Sequence, residues 1–369
     1  MADDLIYKIA LSLIPGIGSI TAKALIAYTG SAEQVFREKE KALRQIPGIG
    51  SILAKNIVGS EVMLRAGREV DFVVGNGVKA LFYLDSDYPQ RLLGCPDAPI
   101  ILYVRGNPQL NCPKSVSIVG TRHATEYGRR IVEQFVDTLA ERGYRILIVS
   151  GLAYGIDIQS HKSALRTGLP TVAVLGHGLE TIYPAVHTAI AREMAEGNGG
   201  LVSDFLSHSS IERTNFLRRN RIIAGMSDAT IVVQSARKGG ALVTADIANS
   251  YNRDVFAFPG RVGDLYSEGC HFLIKSNRAG LIETVSDLEY AMNWSAVQSH
   301  PDAVQPCLFY DFNPDEKLIV DLLRSEGETA IDLICIKTSL PMNKVSPTLL
   351  NLEFAGIVKG LPGKVFRAL

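Results

Sequence analysis

Short apolar runs alternate with amphipathic segments through the middle of the chain. The apolar runs are typical of buried strands, because they are short and rich in β-branched residues. From residue 115 onward they are SVSIVG, RILIVSG, TVAVLG, LVSDF, ATIVVQ and DVFAFPG. The segments between them, such as 125–143, 155–168 and 241–252, have the apolar spacing of helices. This alternation predicts an α/β domain with a parallel sheet covered by helices on both faces.

The first 70 residues contain a repeat. LIPGIGSITAKALI at 13–26 and QIPGIGSILAKNIV at 45–58 superimpose at an offset of 32 residues. Each copy has a helical pattern, a Pro-Gly-Ile-Gly break and a second helix, which predicts a SAM-like helix-hairpin-helix domain. Its glycines would leave N–H groups exposed for a phosphate, with Lys23 and Lys55 as partners. A helical bundle whose glycines serve only packing is the alternative.

Two flanking regions differ from the alternating core. Residues 71–112 contain two apolar runs, KALFYL and APIILYVRG, which predict edge strands joined by turns. After residue 290 a polar linker, NWSAVQSHPDAVQP, precedes three helical patterns and a short strand pair, which together indicate a winged helix. Its third helix has Lys344 as its only interior cation and contains Pro347, so DNA reading and protein docking both stay open. The predicted domains are 1–70, 71–290 and 313–369.

Composition narrows the possible functions. The formal net charge is zero, which disfavours a protein that coats duplex DNA but allows a confined groove. The start MADDLIYK lacks a signal-peptide pattern and no apolar stretch is long enough to span a membrane, so we expect a cytoplasmic protein. Five cysteines without a Cys-x-x-Cys spacing indicate neither a zinc site nor a disulfide framework. Dinucleotide and P-loop fingerprints are missing as well, and we expect no cofactor and no metal.

Glycines, hydroxyls and cations follow the predicted strands. The segments are Gly120-Thr121-Arg122, Ser150-Gly151, Gly176-His177-Gly178 and Lys238-Gly239-Gly240. Because the carboxyl ends of parallel strands meet at one edge of a sheet, we expect these residues to lie close together. Exposed amides and a guanidinium bind phosphate, and without paired carboxylates they would not cleave it. The alternative is that the glycines only make tight turns.

Residues 213–221 contain four arginines and no acid. The helical period places Arg218 and Arg221 on one face and turns Arg219 about 100° away. Phe216 lies among these cations, and unpaired bases stack on such a ring. A phosphate site and a solvated basic helix end with one buried phenylalanine both stay open.

Ser150, Asp157 and His161 invite comparison with a catalytic triad. Asp157 and His161 stand four residues apart on one predicted helix face. An aspartate at a helix start is more often a partner of the helix dipole, and a histidine beside it is more often a hydrogen-bonded structural residue. We therefore favour a structural role for these three side chains.

An ordered series of motifs resembles a known family. The series comprises Gly120-Thr121-Arg122, SGLAYGID at 150–157 with His161, Tyr183-Pro184, FLRRNRIIAG at 216–225, GGALVTA at 239–245 and FPG at 258–260. It resembles the DprA family of DNA-processing proteins, also called Smf. The resemblance implies an extended Rossmann-like core that binds single-stranded DNA, forms a homodimer and loads the RecA recombinase during natural transformation. It implies no enzymatic activity.

The resemblance also implies a set of DNA-binding residues. Arg122 would contact the DNA backbone, and the groove would contain Arg213, Asn215, Phe216, Arg219, Asn220, Arg221, Lys238, Gly239 and Gly240. Two positions depart from the family pattern: Tyr154 stands where many relatives have lysine, and Gly239-Gly240-Ala241 replaces Ser-Gly-Ser. The first departure removes a cation and offers a stacking surface, and the second removes two hydroxyl donors.

A second hypothesis treats the chain as an enzyme. Rossmann cores with a Gly-Gly-x-x-Thr turn include hydrolases of nucleoside monophosphates, and Gly239, Gly240 and Thr244 weakly match that pattern. Such an enzyme needs a carboxylate soon after the turn, and the nearest one is Asp246.

Overall fold

The computed structural model describes residues 2–59, 61–294, 312–361 and 363–369. It divides the chain into two units, Met1–Val297 and Gln298–Leu369. Most of the expected polar linker, as well as Cys307 and Pro362, lies outside the described residues. No helix in the described part of the chain is both long and apolar enough to cross a membrane.

A nine-stranded sheet forms the centre of the first unit. Its strands are β1 (Lys79–Phe82), β2 (Ile101–Gly106), β3 (Lys114–Val119), β4 (Ile146–Ser150), β5 (Thr171–Val174), β6 (Gly200–Ser203), β7 (Ala229–Val232), β8 (Asp254–Ala257) and β9 (Gly280–Leu281). They follow the order β1-β2-β6-β5-β4-β3-β7-β8-β9. In the part of this order that runs from β6 through β5, β4, β3, β7 and β8 to β9, all neighbouring strands pair in parallel. At the other end, β2 pairs with β6 and β1 pairs with β2 in antiparallel fashion. The predicted parallel sheet is confirmed, but β2 is an inner strand and not an edge strand.

The sheet is covered on both faces because its inner strands are apolar on both sides. In β4, Leu147 and Val149 belong to one core, and Ile146 and Ile148 belong to the other. The helices between its strands are α7 (Gln90–Leu93), α8 (Glu126–Glu141), α9 (Ile156–Thr167), α10 (Thr188–Glu196), α11 (Arg213–Gly225), α12 (Gly240–Ser250) and α13 (Glu268–Lys275), and α14 (Val285–Met292) follows β9. Such a doubly covered sheet leaves its carboxyl edge as the place for a ligand.

The strand order reverses between β3 and β7. From β3 the chain builds outward through β4, β5 and β6, and then returns to place β7, β8 and β9 on the other side of β3. In open α/β sheets, ligands bind outside the carboxyl ends of the strands at such a reversal. The loops after β3 and β7 therefore define the expected site.

The N-terminal helices form the predicted pair of hairpins. They are α1 (Ala2–Leu13), α2 (Ser19–Thr29), α3 (Ala32–Arg37), α4 (Glu40–Leu43), α5 (Ser51–Val58) and α6 (Val62–Gly75). Gly16 and Gly48 turn the two breaks with φ values of 83° and 82°. The repeated lysines differ: Lys55 is exposed, whereas Lys23 is half-buried over the Tyr83 ring at 5.6 Å. This burial lowers the pKa of the Lys23 ammonium group.

The second unit is the predicted winged helix. It contains α15 (Pro314–Glu326), β10 (Thr329–Ala330), α16 (Ile331–Thr338), α17 (Met342–Phe354), β11 (Val358–Leu361) and β12 (Val365–Ala368). Asn313 and Glu316 form a capping box at the start of α15. Lys344 in α17 pairs with Asp315 at 3.4 Å, so the single interior cation of this helix has a partner within the unit.

Candidate nucleic-acid interface

A cavity of about 430 Å³ lies at the carboxyl edge of the sheet, where the strand order reverses. Nine of the residues expected from the sequence line it: Gly120, Thr121, Arg122, Arg213, Phe216, Arg219, Asn220, Gly239 and Gly240. They come from the loops after β3 and β7 and from the helices α11 and α12. Arg122 and Arg219, which are 97 positions apart in the sequence, thus face one cavity.

Glycines allow the loops around this cavity to approach each other closely. The Thr121 N–H donates to the Gln234 carbonyl at 2.7 Å and so joins the loops after β3 and β7. A Cβ atom on Gly120 would lie 2.5 Å from the Ile156 side chain. Gly155 has a φ of 79°, and its Cβ would lie 2.1 Å from the Thr121 carbonyl oxygen. Any side chain at these two positions would push the loops apart.

Arg122 and Arg213 are exposed and line the cavity. No hydrogen bond or ion pair engages either guanidinium among the residues that the structure describes. Lys238 is exposed on the adjoining loop, outside the lining. We call Arg122, Arg213 and Lys238 the rim.

The N-terminus of α12 also faces the cavity. Gly239 is its N-cap and provides no side-chain capping bond, and Gly240 and Ala241 begin the helix. The first N–H groups of a helix have no acceptor within it, and they mark the positive end of the helix dipole. This end therefore adds neutral donors for an anion next to the rim.

Arg219 lies beneath the rim and is only 4 % exposed. Its Nη1 donates to the Gly151 carbonyl at 2.8 Å and to the Val174 carbonyl, and its Nε donates to Asn220 Oδ1 at 3.3 Å. Burial lowers the pKa of Arg219 to about 10, against the opposing effect of Asp157. The guanidinium thus joins the carboxyl ends of β4 and β5. We call Arg219, Asn220 and Asp157 the floor.

Asp157 is the only carboxylate among the described residues that line the cavity. It is buried, and burial raises the pKa of its carboxyl while Arg219 acts in the opposite direction. Gly151 leaves the space between these two side chains, since a Cβ there would lie 2.7 Å from both Arg219 Nη2 and Asp157 Oδ2. The described lining of the cavity therefore contains no second carboxylate to pair with Asp157.

Ser150 and His161 do not form a triad with Asp157. The Ser150 hydroxyl is buried and donates to the Ile118 carbonyl at 2.6 Å. His161 Nδ1 lies 2.7 Å from Thr171 Oγ1, whose proton is donated to the Ile148 carbonyl, so Nδ1 is the donor to Thr171. Burial lowers the pKa of His161 to about 3. These side chains hold the strands from within, which agrees with the structural role favoured above.

Two residues expected in the groove are directed elsewhere. Arg221 pairs with Asp204 and donates to the Asp97 carbonyl, and it does not line the cavity. Asn215 is buried and its side-chain amide donates to the Ser210 carbonyl at 2.9 Å. Arg221 therefore lies away from the floor of this cavity, because its acidic partner comes from the end of β6. Asn215 instead closes the loop that leads into α11.

That loop is also held by a helix of the N-terminal region. Glu69 of α6 accepts hydrogen bonds from Ser207 N at 2.9 Å and from Ser207 Oγ at 2.6 Å. Arg65 forms an ion pair with the same carboxylate at 2.8 Å. Nothing in the sequence pattern signalled this contact, since the two segments are more than 130 residues apart. The contact anchors the loop that precedes α11, the helix that contributes Arg213 and Phe216.

Sequence reasoning also missed two aromatic residues at the cavity. His123 and Tyr266 both line it, and their rings are stacked with centroids 6.0 Å apart. Tyr266 follows β8, and its backbone carbonyl accepts from Ser235 N at 2.7 Å. The available signal was its position after a predicted strand.

The residues of the enzymatic hypothesis are separated. Thr244 is buried in the cavity wall, but Asp246 pairs with Arg278 at 3.1 Å and does not line the cavity. The carboxylate that the hydrolase needs is therefore not at the site. Within the described ranges, no group of three His, Cys, Asp or Glu side chains is arranged to hold a metal ion.

Comparisons with known proteins cover all three regions of the chain. Residues 79–293 match the family model of DNA recombination-mediator protein A. Residues 310–364 match the DprA winged helix domain, and residues 9–60 match a SAM-like helix-hairpin-helix tandem. The family models thus agree with the fold of each region.

Individual relatives extend this similarity. Protein Smf of Escherichia coli is 37% identical over 289 residues, which cover 76% of this chain and 75% of the relative. Protein Smf of a Synechocystis species is 32% identical over 391 residues, covering 97% of each chain. The X-ray structure of DNA processing protein A from Streptococcus pneumoniae superimposes with a TM-score of 0.64 at 29% identity, covering 77% of this chain and 96% of the other.

A further solved structure concerns DNA processing protein A from Helicobacter pylori and its single-stranded DNA binding mode. It superimposes with a TM-score of 0.52 at 27% identity and covers 58% of this chain and 95% of the other. With more than half of the residues matched by one family model and relatives above 30% identity over most of the length, the chain belongs to the DNA recombination-mediator protein A family, DprA or Smf.

Proposed function

We propose that the protein binds single-stranded DNA along the carboxyl edge of its sheet and delivers the strand to the RecA recombinase. One observation carries the DNA-binding part: Arg122 and Arg213, whose guanidiniums have no partner among the described residues, line the same cavity as Phe216 and the N-terminus of α12. Guanidiniums and helix amides bind phosphates, and an aromatic ring stacks with bases.

A single strand fits this cavity better than a duplex. Phe216 is half-buried within the cavity, so only an unpaired base can reach its ring. A duplex would require a broad basic surface, and the chain has no net charge. The single-stranded DNA binding named for the Helicobacter pylori relative supports the same choice.

Dimer formation and delivery to RecA are proposed because the chain belongs to the DprA family. We propose that two copies associate, so that two grooves act on one strand and raise the affinity through effective concentration. We further propose that the protein hands this strand to RecA in the cytoplasm during natural transformation, without enzymatic turnover. The test of this step is the rate of RecA filament formation on an oligonucleotide coated with a single-strand-binding protein. Addition of the protein should raise that rate, and an unchanged rate would contradict the delivery step alone.

The DNA-binding step is tested by fluorescence anisotropy with a labelled oligothymidylate and a duplex of equal length. We expect tighter binding to the single strand. Arg122→Ala and Arg213→Ala should each weaken binding about tenfold, because each removes a charge-assisted contact. Each should also flatten the plot of log K against log salt by about 0.7, since one phosphate contact is lost.

Arg166→Ala is the matched control, because it removes the same charge from an exposed arginine at the far end of α9, where it pairs with Asp137. We expect neither its affinity nor its salt slope to change. If Arg166→Ala lost as much affinity as the two cavity variants, the effect would be explained by net charge alone, and the assignment of the groove would be refuted.

A further inference from the structure

We propose that Tyr154 and Tyr183 form a stacking platform for unpaired nucleobases beside the cavity, a subsite additional to Phe216. The proposal rests on the proposed function, because it identifies where the bases of the bound strand lie. Tyr154 is 49 % exposed and Tyr183 is 46 % exposed. Large aromatic rings with half of their surface in water, next to unpaired cations, are suited to a ligand that combines phosphates with flat bases.

The ring of Tyr183 packs next to the ring of Phe216, which lies in the cavity. Its centroid lies 5.7 Å from that of Phe216, at an interplanar angle of 45°. Phe216 is held in turn by His177, at 6.5 Å, and lies 5.9 Å from the guanidinium carbon of Arg219. The two rings therefore form one aromatic surface that begins inside the cavity and continues into solvent.

Tyr154 lies on the neighbouring loop, after β4. Its ring contacts His187 edge-on at 5.1 Å, and His187 stands four residues after Tyr183. The His187 ring is fixed by its Nδ1, which lies 2.8 Å from the Leu152 carbonyl. Because the loops after β4 and β5 are neighbours at the carboxyl edge, the two tyrosines belong to one local surface.

The turn after Tyr154 sets this ring beside the rim. Gly155 packs so closely on the loop after β3 that its Cβ would lie 2.7 Å from the Arg122 carbonyl. Tyr154 is thus held next to Arg122, the exposed cation that we assign to a phosphate. Along the edge from β5 to β3, the exposed groups are aromatic, aromatic and cationic, in the order Tyr183, Tyr154 and Arg122.

The hydroxyl groups of the two tyrosines are not engaged by the described part of the chain. Neither the Tyr154 nor the Tyr183 hydroxyl donates a hydrogen bond to a described residue. A tyrosine kept for folding is normally buried and gives its hydroxyl to a partner, as Tyr88 does to the Pro99 carbonyl at 2.6 Å. The absence of such a role at the two exposed rings favours contact with a ligand.

The experiment compares two oligonucleotides and two proteins by anisotropy. The oligonucleotides are a labelled oligothymidylate and the same strand with abasic residues at its central positions. The proteins are the full wild-type chain and the double variant Tyr154→Ala Tyr183→Ala. The variant should bind oligothymidylate at least about fivefold more weakly, because stacking is lost. On the abasic strand, the two proteins should bind almost equally, and the salt slope should be the same for both proteins.

Two further variants control the measurement. Tyr154→Phe Tyr183→Phe keeps the rings and should retain wild-type affinity. Tyr290→Ala removes a tyrosine that is 91 % exposed on α14, away from the cavity, and should change nothing. A double alanine variant that binds both oligonucleotides like the wild type, with the usual salt dependence, would overturn the platform and leave the groove intact. A wild-type protein that binds neither strand would overturn the proposed function itself.

Discussion

The rim and the floor of the cavity contain the same kind of side chain in opposite environments. Arg122 and Arg213 of the rim are exposed and unpaired among the described residues, whereas Arg219 of the floor is buried and donates to the carbonyls of Gly151 and Val174. An exposed guanidinium keeps its donors for a ligand. A buried one uses them on the protein, since burying a charge without partners costs several kcal/mol.

The difference shows that a cation at a ligand site can act in two ways. In the proposed function the rim would supply the charge that meets the DNA strand, whereas Arg219 of the floor holds the carboxyl ends of β4 and β5 together. A cluster of arginines in one helix therefore does not measure the number of phosphate contacts. In α11, Arg213 belongs to the rim, Arg219 to the floor and Arg221 to neither.

The largest expected effect is the loss of protein stability when Arg219 of the floor is replaced. Arg219→Ala leaves two buried carbonyls without their donor, so we expect the free energy of unfolding to fall by at least about 2 kcal/mol. Arg122→Ala should change it by no more than about 0.5 kcal/mol, as is usual at an exposed position. Urea unfolding followed by circular dichroism measures both. Equal stabilities of the two variants would erase the distinction between rim and floor.

The free energy of unfolding should depend on pH because of the buried His161. The pKa of His161 falls from 6.5 to about 3 in the folded protein, so between these values only the unfolded chain takes up the proton. The contribution of neutral His161 to the free energy of unfolding is fully present above about pH 6.5. It is lost as the pH falls toward 3, by at most about 1.4 kcal/mol per pH unit for one proton.

His161→Asn should reduce this slope, because asparagine can still donate to Thr171 but does not titrate. The free energy of unfolding, measured by urea at several pH values between 7 and 4, provides the test. The same substitution at His123 on the exposed side of the cavity is the control. A slope that is identical in wild type and His161→Asn would show that the buried imidazole does not contribute.

The smallest effect is expected at Arg221. Its charge is engaged by Asp204 outside the cavity, so Arg221→Ala should leave the affinity for oligothymidylate within about twofold and the salt slope unchanged, since no phosphate contact is lost. Arg122→Ala, measured in parallel, provides the contrast. If the salt slope flattened equally in both variants, Arg221 would have to contact a phosphate in the groove, as Arg122 is expected to do.

Much of the architecture follows from local sequence pattern. The apolar runs predicted the six strands from β3 to β8, and the repeated Pro-Gly-Ile-Gly breaks predicted the two hairpins, whose Gly16 and Gly48 turn with positive φ. The positions after the strands also predicted residues that line the cavity, because parallel strands place their carboxyl ends at one edge.

Other features required contacts between distant segments. The contact of Glu69 with Ser207, the stack of His123 on Tyr266 and the pair of Arg221 with Asp204 each join segments that are apart in the sequence. The helical period separated Arg219 from Arg218 and Arg221, and Arg219 is indeed the buried one. The period could not show that an aspartate at the end of β6 would engage Arg221.

The sequence by itself determined which segments form strands, hairpins and turns, because apolar periodicity and glycine conformation act over a few residues. It also determined that glycines, hydroxyls and cations follow the strands and therefore gather at one edge of a parallel sheet. Only the tertiary structure decided which of those groups face the cavity and which are used by the fold. The reason is that a guanidinium's role depends on the acceptors and carboxylates that packing brings to it, and these come from strands and loops far away along the chain.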